Sequence, residues 1–273
     1  MDATRLVLLI TCCCFFRRLP AHPMDYDSSS EEDENHPAAM EQAGKNLNQV
    51  LQGDFAITKA NFAYNSISQL PAYVFYKNLY RNLDSVQLGH NKIAHVDATA
   101  FKELQLLRTL DLSSNRIVRL ETNSFRHNYR LQKLDLAFNS ISFDPERPFL
   151  KSLSIKTLVL SHNRIIHLYD ITFARMPNLQ TLLLDGNPLY YVSRNCFVYS
   201  RRLQYVSLAN TGVDRLMDSM FRTVPRLVDL ANTTLAKKFE PPLRKVKAEQ
   251  LVKLMDFERR IFGDEDDVDD DDT

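Results

Sequence analysis

The chain has 273 residues, and its 34 Lys and Arg balance its 34 Asp and Glu, which gives a formal net charge of zero at pH 7. Its N-terminal apolar run covers only residues 6–16 and is too short to span a bilayer, which takes about 20 residues. With six glycines and no phosphate loop, nucleophile elbow, paired-cysteine zinc motif or H-E-x-x-H motif, the sequence predicts that the protein is not an enzyme.

Residues 1–21 are predicted to be a secretory signal peptide, because the apolar run has the length of a signal-peptide hydrophobic region. Asp2 before the run and Arg17-Arg18 after it depart from the usual pattern, so a disordered apolar N-terminus is the alternative. A signal peptide predicts a secreted or extracellular protein.

Acidic residues are concentrated near both ends of the chain. Residues 22–37 form a predicted disordered linker with six acids between positions 25 and 34, and residues 263–273 form a predicted disordered tail with eight. Residues 35–263 hold 31 Lys and Arg against 19 Asp and Glu. The acidic segments are expected to be solvated, and shielding of the basic centre or binding of a partner is the alternative.

Residues 38–55 are predicted to form a helical cap at the N-terminal end of the region that follows. The apolar residues of this segment fall at the spacing of one helix face: Met40, Ala43, Leu47, Val50 and Leu51. Such a helix would cover the apolar surface that the next segment exposes at its end.

Between residues 56 and 236 the sequence repeats with a period of 24 or 26 residues. Each copy has the frame L-x-x-L-x-L-x-x-N-x-L, which is clearest from Leu107 to Ile117. We name its asparagines the asparagine ladder: Asn65, Asn91, Asn115, Asn139, Asn163 and Asn187. A phenylalanine column recurs every 24 residues: Phe101, Phe125, Phe149, Phe173, Phe197 and Phe221. Seven repeats and a degenerate eighth are predicted.

Alternate residues of a strand face opposite sides, so Leu110 and Leu112 are predicted to be buried. The ladder asparagine falls where the chain leaves the strand, and its amide is expected to satisfy backbone groups that the bend leaves unpaired. In the eighth repeat, the frame that starts at Leu227 places Asn232 at a leucine position and Leu235 at the asparagine position.

The frame and the phenylalanine column resemble the leucine-rich repeat family, and the period resembles its typical 24-residue subclass of animal extracellular proteins, without their cysteine caps. The resemblance implies an α/β repeat solenoid, a horseshoe with a parallel concave β-sheet, and helical end caps here would replace the cysteine caps. It also implies a non-enzymatic protein-binding module without a cofactor, which recognises a protein ligand or receptor on the concave face.

An intracellular or nuclear regulator that binds basic proteins is the alternative function. The acidic tail at residues 263–273 resembles the tails of acidic nuclear phosphoproteins that carry leucine-rich repeats. The apolar run at residues 6–16 and the phenylalanine-bearing repeats favour the extracellular module.

The concave wall is the predicted partner site, because the fold leaves its side chains free to vary. Its central outward residue changes from acidic to apolar along the array: Asp111, Asp135, Val159 and Leu183. Tyr205, in the neighbouring column, is predicted to lie beside Leu183. An apolar cluster with an acidic border suits a protein-binding hot spot, and chance in a leucine-rich strand is the alternative. The sequence leaves the orientation of Phe138 open.

A basic ridge is predicted beside the ladder. Lys92, Arg116 and Arg164 each follow a ladder asparagine, and Arg119 lies nearby. Such a ridge predicts salt-sensitive binding of a polyanion such as heparan sulfate. Nucleic acid is not expected as a partner, and no stable membrane span is expected.

Three further features carry both a structural and a functional interpretation. Cys196 precedes the column residue Phe197 and is predicted to be a buried thiol, with a disulfide to another chain as the alternative. Asn232 begins the sequon Asn-Thr-Thr and is a glycosylation site if the chain is secreted. His90 and His162 recur in frame, but no further ligand is fixed near either, so no metal site is predicted.

Residues 243–262 are predicted to form a C-terminal helix after Pro241-Pro242, with Leu251, Leu254 and Met255 on its apolar face. Capping the end of the array is its expected role. A partner-binding amphipathic helix over residues 246–262 is the alternative.

Overall fold

The computed structural model describes residues 38–262, so the predicted signal peptide, acidic linker and acidic tail lie outside the described residues. Within residues 38–262 there are fourteen strands: β1 Ala38–Glu41, β2 Ile57–Asn61, β3 Gln69–Leu70, β4 Ser85–Gln87, β5 His95–Val96, β6 Thr109–Asp111, β7 Lys133–Asp135, β8 Thr157–Val159, β9 His167–Leu168, β10 Thr181–Leu183, β11 Tyr191–Val192, β12 Tyr205–Ser207, β13 Leu227–Asp229 and β14 Lys245–Lys247. The two α-helices are α1 Val74–Lys77 and α2 Ala248–Phe262.

Ten of these strands form one sheet with the order β1-β2-β4-β6-β7-β8-β10-β12-β13-β14. Neighbours from β1 to β13 are parallel, and successive repeats pair at the same frame position, as Leu110 does with Leu134 and Leu134 with Leu158. Two small parallel sheets, β3–β5 and β9–β11, join consecutive turns elsewhere. This architecture confirms the predicted α/β repeat solenoid.

The phenylalanine column forms a buried spine behind the sheet. Most of its neighbouring rings lie 5.1–6.0 Å apart between centroids. The regular spacing breaks at Phe149, where Phe143 packs at 5.0 Å and also contacts Phe173 at 5.7 Å. Phe143 lies outside the 24-residue column, in the same repeat as Phe149, and its ring joins the spine there.

Asn115 shows the hydrogen bonds that the other ladder asparagines repeat. Its Oδ1 accepts the N–H of Ile93 at 2.9 Å, and its Nδ2 donates to the carbonyls of Leu88 and Leu112, both at 3.0 Å. The amide therefore joins two consecutive repeats at the bend where strand pairing ends. Equivalent bonds are made by Asn65, Asn91, Asn139, Asn163 and Asn187.

The helix predicted over residues 38–55 is wrong. Ala38–Glu41 is strand β1, and Gly44 has a positive φ of 69°, at which a helix cannot continue. The N–H of Leu47 donates to Oδ1 of Asn65 at 2.9 Å, as in an ordinary repeat. The segment is thus a truncated repeat. The open edge of β2 presents unpaired backbone groups, and a strand supplies partners for them where a helix cannot.

The apolar residues that suggested this helix are still covered, through a different conformation. Val50 is buried, and the hydroxyl of Tyr80 lies 2.7 Å from the sulfur of Met40 and 3.1 Å from the carbonyl of Leu51. Burial raises the pKa of Tyr80 to about 12. A Cβ on Gly53 would lie 2.2 Å from the Tyr80 ring, so only glycine fits there.

The eighth repeat has a register different from the predicted one. β13 pairs with β12 so that Val228 lies opposite Val206, which makes Leu230 the second buried strand residue. Asn232 is consequently exposed rather than at a leucine position, and Leu235 does not occupy the asparagine position. The sheet register decides the frame here, because a shift of the strand by one residue would expose its apolar face.

Threonine replaces asparagine in the last two repeats. The hydroxyl of Thr233 donates to the carbonyl of Leu230 at 2.8 Å, and Thr211 does the same to Leu208 at 2.6 Å. A hydroxyl has one proton and cannot donate to two carbonyls, as the ladder amides do. The link between consecutive repeats is therefore weaker where the array ends.

A strand and a helix close the C-terminal end. β14 pairs antiparallel with β13, and α2 begins at Ala248 rather than at residue 243. Leu251 and Leu254 on α2 are buried, so the helix covers the end of the core. No helix within residues 38–262 is long and apolar enough to span a membrane.

Candidate functional site

The concave wall places the predicted partner residues in one column. Asp111, Asp135, Val159 and Leu183 lie opposite one another on β6, β7, β8 and β10. All four are half-buried, so each presents part of its side chain at the surface. Tyr205 lies on the next strand, where it pairs with Thr181, and it too is half-buried. The column therefore changes from charged to apolar between β7 and β8.

The two wall aspartates also serve the backbone of their own repeats. Oδ1 of Asp111 accepts the N–H of Ser113 at 2.8 Å, and Oδ1 of Asp135 accepts the N–H of Ala137 at 3.0 Å. Burial raises the pKa of Asp135 and the charge of Asp111 adds to the rise, while the bond from Ala137 opposes it. The acidic border is thus partly structural, which the sequence pattern does not indicate.

Replacing Asp135 by asparagine is expected to raise the free energy of unfolding at pH 7. The folded-state pKa of Asp135 lies above its unfolded value, so the buried carboxylate destabilises the fold at neutral pH and stability recovers as the pH falls through that pKa. The amide oxygen keeps the bond to Ala137, as Asn61 bonds the N–H of Ala63 at 3.1 Å. Urea unfolding at pH 7 and at about pH 3 checks this, and an equal gain at both values would contradict it.

The predicted basic ridge is exposed but discontinuous. Lys92, Arg116, Arg119 and Arg164 are all exposed. Lys92 Nζ donates to the hydroxyl of Ser66 at 3.2 Å, and Arg119 forms an ion pair with Glu121 at 3.2 Å. Ser140 follows the ladder asparagine of the fourth repeat, so it separates Arg116 from Arg164. The structure groups Lys92 with Arg116 and leaves Arg164 two strands away.

The residues directly before the first five ladder asparagines form a column that is mostly aromatic and was not predicted. We name it the corner column: Tyr64, His90, Ser114, Phe138 and His162, whose φ angles are all positive, between 51° and 56°. The rings of Tyr64 and His90 stack at 4.3 Å, and those of Phe138 and His162 stack at 4.4 Å. Phe138 is 56 % exposed, so this side chain faces outward. The sequence does carry a signal for this column, because an aromatic residue directly precedes four of the six ladder asparagines.

The remaining candidate residues have structural surroundings. Cys196 is buried and has no disulfide partner among the described residues, and burial raises the pKa of its thiol. Asn232 is exposed, and its Nδ2 donates to Asn210 at 3.0 Å. Among residues 38–262, no group of three or more His, Cys, Asp or Glu side chains is arranged to hold a metal ion.

Two stretches of the chain match a known family. Residues 81–141 and 129–189 match the family model described as leucine rich repeat. No curated protein matches the chain. The solved structure described as "Crystal structure of TLR13-ssRNA13 complex" resembles the chain with a TM-score of 0.53 and 23% identity. The match covers 69% of this chain and 26% of that one.

A likeness at 23% identity shows the fold alone. The chain spans only 26% of the length of this neighbour. The RNA in that complex is a ligand of that protein. The expectation that this chain has no nucleic-acid partner gains no support from the comparison, and it stays a prediction.

Proposed function

Since residues 81–189 match the leucine-rich repeat family and the strands form a parallel repeat solenoid, we propose that this chain is a non-enzymatic protein-binding module whose partner binds the concave wall around Val159 and Leu183. The observation that carries the proposal is the change in the wall column. Two apolar side chains lie opposite each other on β8 and β10, in a wall column whose other members are polar. Partly exposed apolar groups with a polar rim are the usual centre of a protein interface.

Tyr205 and the aspartates complete the proposed interface. Tyr205 lies one strand beyond Leu183 and offers a ring with a polar hydroxyl, a residue type that hot spots favour. Burial raises the pKa of Tyr205, and the charge of Asp229 adds to the rise, so the hydroxyl stays protonated at neutral pH and can donate a hydrogen bond. Asp111 and Asp135 on the other side would favour basic residues of the partner over acidic ones.

A double variant tests the interface. Val159→Glu with Leu183→Glu is expected to abolish partner binding, because it buries two charges in the proposed centre, and to leave the fold intact, because both side chains reach solvent. Ser85→Glu with Gln87→Glu, on the same wall two repeats before β7, is the matched control. Proteins retained on the immobilised chain would be compared by mass spectrometry after circular dichroism has verified folding. A folded double variant that keeps every partner of the control would contradict the proposal.

Secretion is part of the same proposal, and the apolar run at residues 6–16 supports it. In that case residues 1–21 are expected to be absent from the mature chain, and Asn232 to carry a glycan, since both Asn232 and Thr234 of its sequon are exposed. N-terminal sequencing and a mass shift abolished by Asn232→Gln check this. Recovery of intact Met1 from a cytosolic fraction would favour the alternative, a nuclear or cytoplasmic regulator that binds basic proteins.

A polyanion such as heparan sulfate is a second proposed partner, on the ridge of Lys92, Arg116, Arg119 and Arg164. The exposure of the four cations supports it. Because these charges are solvated, attraction should fall steeply as salt rises. Of the four, Lys92 and Arg116 lie on adjacent repeats and should contribute most.

A further inference from the structure

The corner column has rings at four of five consecutive positions and a serine in the middle. The backbone has nearly the same φ at all five, between 51° and 56°, so the side chains leave the chain in the same direction. Tyr64 with His90, and Phe138 with His162, form two parallel stacks with interplanar angles of 5° and 9°. Ser114, which belongs to the repeat between the two stacks, contributes no ring. The column therefore has one vacant position.

The vacant position has the thickness of one aromatic ring. Neighbouring strands lie about 4.8 Å apart, so His90 and Phe138, two strands apart, are separated by about 9.6 Å. The ring spacing within the stacks is 4.3 and 4.4 Å, and one inserted ring needs about twice that distance. Within residues 38–262, no ring contact joins His90 to Phe138. Phe138 is still 56 % exposed although one face rests on His162, so its other face is open.

Charged groups of opposite sign flank this slot. Arg116 follows Ser114 by two residues and is exposed on the ridge side, whereas Lys92 reaches back to the preceding repeat, where its Nζ donates to the hydroxyl of Ser66 at 3.2 Å. On the wall side, the carboxylate of Asp111 lies over Gly89, where a Cβ would be 2.9 Å from Oδ2. Oδ1 of Asp111 is used by the N–H of Ser113, but Oδ2 has no hydrogen-bond partner among the described residues. The slot thus offers two ring faces, one cation and an acceptor.

We propose that this slot binds a mononucleotide. The base stacks between His90 and Phe138, the phosphate pairs with Arg116, and an exocyclic amino group of the base donates to Asp111. A base has two flat faces for stacking and an amino group that carboxylates accept. Arginine and lysine are the usual partners of phosphate. An aromatic side chain of a protein would fill the slot equally well, but it would leave Arg116 without an anion.

The phosphate contact rests on the proposed polyanion ridge, whereas the stacking does not. Three small ligands separate the two contributions: AMP, adenosine and ribose 5-phosphate, titrated calorimetrically into the full chain. AMP is expected to bind most tightly. Ribose 5-phosphate, which lacks the ring, is expected to bind about tenfold more weakly or worse. Equal affinities for AMP and ribose 5-phosphate would show ion pairing alone and would overturn the slot.

Ser114→Phe tests the slot directly, because it places a ring in the vacant position, and the phenylalanine at position 138 shows that this backbone conformation accepts one. The variant is expected to weaken AMP binding about tenfold or more and to leave heparin retention unchanged. Ser114→Ala keeps the slot open and is the matched control. Arg116→Ala should weaken both AMP binding and heparin retention.

Unchanged AMP affinity in a folded Ser114→Phe variant would overturn the proposal. Phe138→Ala, which removes one wall of the slot, provides an independent test and should also weaken AMP binding. Tighter binding of tryptophan amide than of AMP would assign the slot to an aromatic residue of a protein and would likewise overturn it. If the unaltered chain bound adenosine but was not retained on heparin, the ridge would be contradicted and the stacking would stand.

Discussion

Replacing Phe101 by alanine is expected to lower the free energy of unfolding by about 3–5 kcal/mol. Phe101 is fully buried, and its ring lies between those of Phe75 at 5.3 Å and Phe125 at 5.6 Å. Each repeat contacts only its neighbours, so a cavity at Phe101 weakens two interfaces at once. Urea unfolding followed by circular dichroism measures the loss.

Phe138→Ala is the control for this prediction. It removes the same number of atoms from a side chain that is 56 % exposed, and it should change the free energy of unfolding by less than about 1 kcal/mol. If both variants lost the same stability, the spine would not be the core of the solenoid. A loss for Phe138→Ala alone would mean that the corner column, not the spine, holds the repeats together.

Asn115→Ala is expected to cost about 2–4 kcal/mol, because several buried backbone groups lose their partner together. The N–H of Ile93 and the carbonyls of Leu88 and Leu112 are bonded by this one amide within 3.0 Å. Water cannot reach them without opening the bend, so the groups stay unsatisfied in the folded chain. The measurement is again the urea midpoint and slope.

Asn123→Ala serves as the matched control, since Asn123 is exposed and lies outside the ladder. Its expected effect is within about 0.5 kcal/mol of zero. A similar cost for the two asparagines would remove the ladder as a source of stability. Asn115→Asp should also be costly, because a carboxylate keeps the acceptor for Ile93 but loses both donors.

The repeating part of the fold could be predicted closely because its information is local and periodic. Leu110, Leu134 and Leu158 pair across strands at the spacing that the sequence shows. The role of Asn115 follows from the chemistry of an amide at a bend. Asn128, by contrast, makes buried bonds to the carbonyls of Phe101 and Leu104 at 2.8 and 2.9 Å, and nothing in the frame marks it.

The ends of the array were predicted poorly because nothing repeats there. Met40, Leu47 and Val50 have the spacing of a helix, yet the edge of β2 requires a parallel strand. In the eighth repeat, two alignments of the leucine frame fit the sequence equally well. Only the pairing of Val228 with Val206 selects one of them. Both errors concern backbone hydrogen bonding between segments, which apolar spacing does not report.

The sequence by itself determined the solenoid, the buried columns, the ladder and the outward position of Val159 and Leu183, because a fixed period imposes one environment on each frame position. Only the tertiary structure decided which side chains meet across repeats. The stacking of Phe138 on His162 and the vacancy beside Ser114 depend on a strand separation close to the thickness of a ring. A distance between repeats is a property of the packed array, and no single repeat contains it.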